Sequence, residues 1–276
     1  MKHDVSMMRE TPIRHLVFDL DGTLVDSCGI CVAILSDMLA ERGSDHRIDP
    51  QGARAFMSAG GAQMVAALLG PECRDPAQEL ADFRERYART PTPMTALFPG
   101  VAEGLRRLHA QGMILSICSN KPQNLCEKVL ADTGLTDIFT VVVGGQAGLR
   151  PKPEPDLLTH TLKLLGASAQ ECLYIGDSEL DHAVAAHAAI PFLFLTYGYA
   201  DPAWEACDCS VFDCFTSLTG SIADRAGAAV VQDNLLSDEV LPEEALFEEA
   251  MGGRRLRAGA GRGRLRHARG NALNPM

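Results

Sequence analysis

Two aspartates one residue apart, Asp19 and Asp21, close the apolar run of "LVFDLDGTLVDS" (Leu16–Ser27). In an extended strand, residues i and i+2 point to the same side, so both carboxylates are expected to project together from the strand's end. Carboxylates this close repel, and one has its pKa raised unless a cation relieves them. Mg2+ suits such a place, because it takes oxygen ligands from one or two carboxylates together with a substrate phosphate. Other polar groups recur at comparable positions. "SNKP" (Ser119–Pro122) offers a hydroxyl and backbone N–H groups at the start of a helix, an arrangement that binds anions. In "RPKPEP" (Arg150–Pro155), Lys152 stands between two prolines that fix the backbone and so the direction of its ammonium. "CLYIGD" ends in Asp177, and Asp181 lies four residues on, so in a helix the two share a face.

Each of these has an ordinary reading as a turn, a helix cap or a surface lysine. Together they supply a nucleophile, an acid/base, anion donors and a metal site. Those are the parts of a metal-assisted phosphoryl transfer.

The elements that must position these groups follow from hydrophobic periodicity. "IRHLVFDL" (13–20) reads as a buried strand. From about Ser27 to Arg89 the chain reads as helical, in pieces separated by Gly or Pro, and "TPTPM" (Thr90–Met94) is a connection. Strands and helices then alternate: "MILSICSN", "TVVVGG", "CLYIGD" and "PFLFLTY" are strands with helices between them, and "CSVF" is a last short strand. Such alternation predicts an α/β fold, a Rossmann-like parallel sheet with right-handed crossovers and ligands at the carboxyl ends of its strands. The expected organisation is a leader at 1–12, a core at 13–26 and 95–220, an inserted small all-helical domain at 27–94, and a low-complexity, disordered tail at 221–276.

Composition narrows the function. The chain has 276 residues, 46% hydrophobic and only 5% aromatic, enough for a sizeable core. Seven of its 25 basic residues are arginines between Arg254 and Arg269, which leaves 18 basic against 36 acidic residues in the rest. An acidic body repels nucleic acid and membranes, so an anionic substrate must be captured locally. The Arg/Gly-rich tail is the one stretch with a composition suited to RNA, and a solvated tail is the favoured reading. No apolar run is long enough for a membrane span or a secretion signal, so a cytoplasmic protein is expected. Nine scattered cysteines then read as reduced, small buried hydrophobes rather than disulfides or zinc ligands.

The ordered motifs "DLDGTLVDS", "SNKP", "RPKPEP" and "GDSELD", over about residues 13–218, resemble haloacid dehalogenase superfamily hydrolases of the phosphoglycolate phosphatase type. The resemblance implies that Asp19 is the nucleophile and Asp21 the general acid/base. It implies that Asp19, the backbone carbonyl of Asp21 and Asp177 hold Mg2+, with Asp181 in support. Ser119, the Asn120 amide and Lys152 would bind the phosphoryl oxygens. The insert would be a cap, hinged near Val25–Asp26 and Met94–Leu97, with "MSAGGAQMV" (Met57–Val65) facing substrate and Arg54 a candidate for a substrate carboxylate. The implied substrate is a small phosphorylated metabolite, 2-phosphoglycolate first. A sugar phosphate, a nucleotide, pyrophosphate or a phosphomutase reaction are alternatives on the same core, and a non-catalytic binding protein is the rival from another class.

Overall fold

The computed structural model describes residues 12–58 and 60–223. The first strand, β1 (His15–Phe18), lies inside a six-stranded sheet. The others are β2 (Ile114–Pro122), β3 (Phe139–Gly145), β4 (Cys172–Gly176), β5 (Phe192–Leu195) and β6 (Ser210–Phe212). All pairings are parallel, in the order β3-β2-β1-β4-β5-β6. The Rossmann-like parallel sheet is therefore present. β1 carries an apolar run because both its faces are covered. Leu16 and Phe18 join one apolar cluster, and Val17 joins the cluster on the opposite face.

Helices link the strands: α5 (Val101–Ala110) precedes β2, α6 (Gln123–Asp132) leads to β3, α7 (Asp156–Leu165) to β4, and α8 (Glu179–His187) to β5. Residues 215–223 are also helical, and Phe215, Leu218 and Ile222 pack into the core. The expected disordered tail begins at residue 221, but 221–223 continue this helix and Ile222 joins the core; the rest of the tail, with its Arg/Gly-rich stretch, lies outside the described residues, as does the leader up to residue 11.

Between β1 and α5 the chain makes four helices: α1 (Cys28–Glu41), α2 (Pro50–Ala53), α3 (Gly61–Leu69) and α4 (Pro76–Arg89). Asp49 and Asp75 cap α2 and α4 by accepting backbone N–H bonds, and each is followed by a proline at the first helical position. The two strands of chain that join this insert to the sheet run side by side. Asp26 N–H donates to Ala96 O at 2.8 Å, and Val25 forms an antiparallel bridge with Leu97. Leu35, Leu39, Val65, Leu69 and Tyr87 of the insert belong to the same apolar cluster as Leu16 and Phe18. No helix among the described residues is long and apolar enough to cross a membrane.

All nine cysteines are free. Cys28, Cys31, Cys118, Cys126 and Cys172 are buried, in line with a role as small hydrophobes, whereas Cys207 and Cys214 are exposed.

Phe18 is fully buried and packs on Phe139 and Phe215, at ring distances of 6.4 and 6.2 Å. Phe18→Ala is expected to cost about 3–5 kcal/mol of unfolding free energy, read as a lower urea midpoint with an unchanged slope.

Candidate active site

The carboxyl ends of β1, β2 and β4 meet at one cavity of about 420 Å3, and α3 and α4 of the insert form its other wall. Asp19 directly follows β1, and its N–H still pairs with Ile175 O at 2.9 Å, so the sheet fixes its backbone. Asp177 directly follows β4. Asp181 lies in the first turn of α8, behind the capping hydroxyl of Ser178. Carboxylate oxygens of Asp19, Asp177 and Asp181 lie within 4.8 Å of one another, and all three residues are buried.

Each carboxylate has its own support. Asp177 accepts from Thr23 Oγ1 at 2.6 Å and from Tyr199 N–H at 2.8 Å. Asp181 accepts from Ser178 Oγ at 2.7 Å, from Asp177 N–H at 3.2 Å and from Lys152 Nζ at 2.6 Å. Lys152 Nζ also sits 2.8 Å from Asp19 Oδ1. That contact is a buried, charge-assisted ion pair. Three glycines make room for the cluster: a Cβ on Gly176 would lie 2.5 Å from the Asp181 side chain. A Cβ on Gly22, where φ is +86°, would lie 2.1 Å from Asp177 Oδ2, and one on Gly198 would lie 2.2 Å from the same atom.

Lys152 is held from its main chain. Its N–H donates to Asn120 Oδ1 at 2.7 Å, and its carbonyl accepts from Asn120 Nδ2 at 3.0 Å. Asn120's side-chain amide is thus committed to Lys152, and an anion contact from this residue falls to its main-chain N–H. Ser119, at the end of β2, is buried and lines the cavity.

Residues 16–195 match the model of the haloacid dehalogenase-like hydrolase family. The chain belongs to that family. It is 35% identical over 216 residues to the phosphoglycolate phosphatase of Rhodobacter capsulatus, covering 75% of this chain and 95% of that one. It is 37% identical over 201 residues to a plasmid phosphoglycolate phosphatase of Cupriavidus necator, covering 71% and 86%. The crystal structure of a predicted phosphoglycolate phosphatase from Haemophilus somnus matches with a TM-score of 0.66 at 25% identity, over 75% of this chain and 97% of that one. The chain is a phosphoric monoester hydrolase of the family.

Within this hydrolase, Asp21 departs from the side-by-side picture of the two aspartates. The strand ends at Phe18, and Asp21 sits in the following turn, where it bridges to Val25. Both aspartates line the cavity, but each faces a different lysine: Asp19 meets Lys152, and Asp21 meets Lys121 at 3.0 and 3.1 Å. Lys121, Thr23, Tyr174 and Tyr199 were not singled out from the sequence. Thr23 stands in the Asp-x-Asp-Gly-Thr turn, and Lys121 inside "SNKP", so the signal lay in the motifs themselves. Tyr174 carried none, since an aromatic on a buried strand reads as core, and neither did Tyr199, in the loop after β5.

Arg54 requires a correction. It is not free for a substrate carboxylate. Its guanidinium donates to both oxygens of Asp26, at 3.0 and 3.1 Å, and to Tyr197 O and Gly198 O. Tyr199 completes the strap by donating its hydroxyl to Asp26 at 2.6 Å, and the Arg54 guanidinium lies over its ring. Arg54 ties the insert to the loop after β5.

The electrostatics of the cluster follow from burial. Burial pushes Asp19 up to about 6, and Asp181 adds to this; Lys152 opposes both, yet it is shared with Asp181 and does not restore the usual carboxylate value. Asp177 is driven well above the carboxylate range by burial and by Asp181 and Asp19. Burial works against the charge on Lys152, but Asp181 and Asp19 outweigh it and hold the ammonium above the ordinary lysine value.

In metal-free protein, folded Asp19 therefore keeps a proton that the unfolded chain has already released between about pH 4 and pH 6. Its contribution is complete below about pH 4 and is lost as pH rises through about 6. Chelator-treated protein is expected to lose stability over that interval, by an amount on the order of 3 kcal/mol from this group. Asp19→Asn should make the fall over this interval shallower in denaturant titrations at pH 4, 5, 6 and 7, leaving the part that Asp177 contributes, and an unchanged slope would contradict the assignment.

Proposed function

We propose that this hydrolase is a Mg2+-dependent phosphatase that acts on a small phosphomonoester through an aspartyl-phosphate, with 2-phosphoglycolate as its substrate. The observation that carries the reading is the buried Asp19–Lys152–Asp181 contact beside Asp177, on the floor of a cavity that an anion can enter.

The donor set suits a hard cation. It offers carboxylate oxygens only, three of them within 4.8 Å of one another and all on buried residues. Asp19, Asp177 and the backbone carbonyl of Asp21 would hold Mg2+, with Asp181 supporting them. When bound, the ion supplies charge neutralisation that lets anionic ester and carboxylate approach.

The chain's own groups do the rest. Asp19 attacks phosphorus, and its new O–P bond forms as the bond to the ester oxygen breaks. Asp21 gives its proton to the departing alkoxide, which leaves as the alcohol. Asp21 then takes a proton from a water that attacks the aspartyl-phosphate, and breakage of the Asp19–phosphorus bond releases phosphate. Both aspartates return to their starting forms. Ser119, the Asn120 main-chain N–H and Lys152 bind the phosphoryl oxygens. Helices of residues 27–94 act as the cap, since α3 and α4 line the wall opposite Asp19.

Arg84 supports a substrate with a second anionic group. Leu80, Phe83, Arg84 and Tyr87 form one face of α4, and all four line the cavity. Among the described residues Arg84 has no carboxylate partner, a property it shares with Arg14, Arg47, Arg74, Arg106 and Arg107, but of these it alone lines the cavity. It is an exposed residue, and partial desolvation with no compensating acid holds its guanidinium below the ordinary arginine value. A substrate carboxylate would supply the missing partner. The relatives named above as phosphoglycolate phosphatases are in keeping with this.

With Mg2+ and a panel of phosphomonoesters, phosphate release is expected to favour 2-phosphoglycolate and to fall at least about 10³-fold in Asp19→Asn, which lacks the nucleophile. Absence of release from every ester by the wild type would overturn the reading.

Arg84→Ala should raise KM for 2-phosphoglycolate roughly 10-fold or more and leave that for ethyl phosphate, which has no carboxylate, unchanged. Equal effects on the two esters would remove Arg84 from the substrate's far end.

A further inference from the structure

We propose that Lys121 is a positioning residue that holds the Asp21 carboxylate for proton transfer, and that Tyr87 of the helical insert seats this lysine. The inference rests on the phosphatase reading above and deepens it. Lys121 Nζ lies 3.1 Å from Asp21 Oδ1 and 3.0 Å from Oδ2, so the ammonium straddles the ionised carboxylate, the form that Asp21 takes once it has given up its proton, and fixes its plane. The lysine side chain is 7% exposed, and Asp21 is its sole ion-pair partner among the described residues. A cation this deep is costly unless it is paired and covered. Tyr87 does the covering. Its ring centroid is 4.0 Å from Nζ, within the range of a cation–π contact, and the residue is 1% exposed.

The placement of the three residues gives the contact a function. Lys121 ends β2 and Asp21 follows β1, so both belong to the sheet edge. Tyr87 belongs to α4, on the insert. The line Tyr87–Lys121–Asp21 therefore runs from the insert to the acid/base. The nucleophile is held separately: Asp19 meets Lys152, which is tied to Asp181 and Asn120, all on the sheet side. The insert thus bears on the proton-transfer group through a lysine that the nucleophile does not share. Seating of α4 completes the orientation of Asp21, and its displacement uncovers Lys121 without disturbing Asp19.

A structural role and a positioning role differ in their dependence on the leaving group. An aryl phosphate leaves as a stabilised phenolate and needs no proton from Asp21 in the step that phosphorylates Asp19. An alkyl phosphate leaves as an alkoxide and does need it. The experiment compares kcat/KM, which reports the steps through phosphorylation of Asp19, for 2-phosphoglycolate and for p-nitrophenyl phosphate, with Mg2+ and full-length protein. Lys121→Met is expected to lower kcat/KM for 2-phosphoglycolate at least 10-fold more than for p-nitrophenyl phosphate. Tyr87→Leu should show the same selectivity with a smaller ratio, and Tyr87→Phe, which keeps the ring, should show none. Parallel losses on the two esters, or no loss on either, would overturn the role of Lys121. A Tyr87→Leu enzyme with wild-type selectivity would overturn the part played by the insert. If the wild type cleaved neither ester, the phosphatase reading itself would fail, an outcome separate from all of these.

Discussion

Burying three carboxylates within 4.8 Å of one another is the constraint around which this protein is arranged. Isolated charges in such a place are strongly disfavoured, and their mutual repulsion adds to the cost. One lysine offsets part of it. Lys152, 3% exposed at its side chain, lies between Asp19 and Asp181. The Tyr174 hydroxyl stands 3.2 Å from both Lys152 Nζ and Asp181 Oδ1. The backbone is shaped to allow this. Gly22 and Gly198 stand where any side chain would strike Asp177, and Asn120 grips the main chain of Lys152 with both ends of its amide. Even so, the charge is incompletely balanced, because three carboxylates share one ammonium and Asp177 receives only neutral hydrogen bonds, from Thr23 and Tyr199, among the described residues. A site that keeps acidic groups short of positive charge is poised for a cation. The stability that such a site lacks when empty becomes part of the binding energy when it fills.

The sheet explains why that cluster forms at all. β1 lies between β2 and β4, so the residues just past these three strands are brought together without any long-range search by flexible loops. Asp19 and Asp177 directly follow β1 and β4, and Ser119 lies in the carboxyl half of β2. Lys152 arrives from the segment between β3 and α7, which has no strand of its own to aim it. The Asn120 clamp supplies the missing rigidity. A parallel sheet thus fixes three of the groups by register, and a side-chain amide fixes the fourth.

Much of this was legible from residue types and spacing. Parallel-sheet alternation, the helical insert and the convergence of Asp19, Ser119, Lys152 and Asp177 follow from apolar runs that end in polar groups. What could not be read were contacts made across the fold. Nothing local to Arg54 says that Asp26, Tyr197 and Gly198 will surround it, so a basic residue in the insert looked available for substrate. The relation of Asp19 to Asp21 failed for another reason. Strand periodicity holds only while the strand lasts, and this one stops at Phe18. Asp21 then takes its direction from a turn and from Lys121. Within a single motif, "SNKP", the sequence singled out the hydroxyl and the amide and passed over the lysine, because only the fold shows that this ammonium turns back to Asp21.

The insert reaches the site by two routes of unequal strength. One is Tyr87 on Lys121, deep under α4. The other is the strap from Arg54 through Asp26 to the Tyr199 hydroxyl, and Tyr199 N–H in turn holds Asp177. Both end on a carboxylate of the cavity, from opposite sides. The strap's ion pair is about one-third exposed on each partner, 34% and 39%, so solvent screens it and its worth is about 1 kcal/mol or less. The lysine contact is better shielded, at 7% exposure for Lys121 and 27% for Asp21, with Tyr87 over the ammonium. Loss of the strap is therefore the cheaper event.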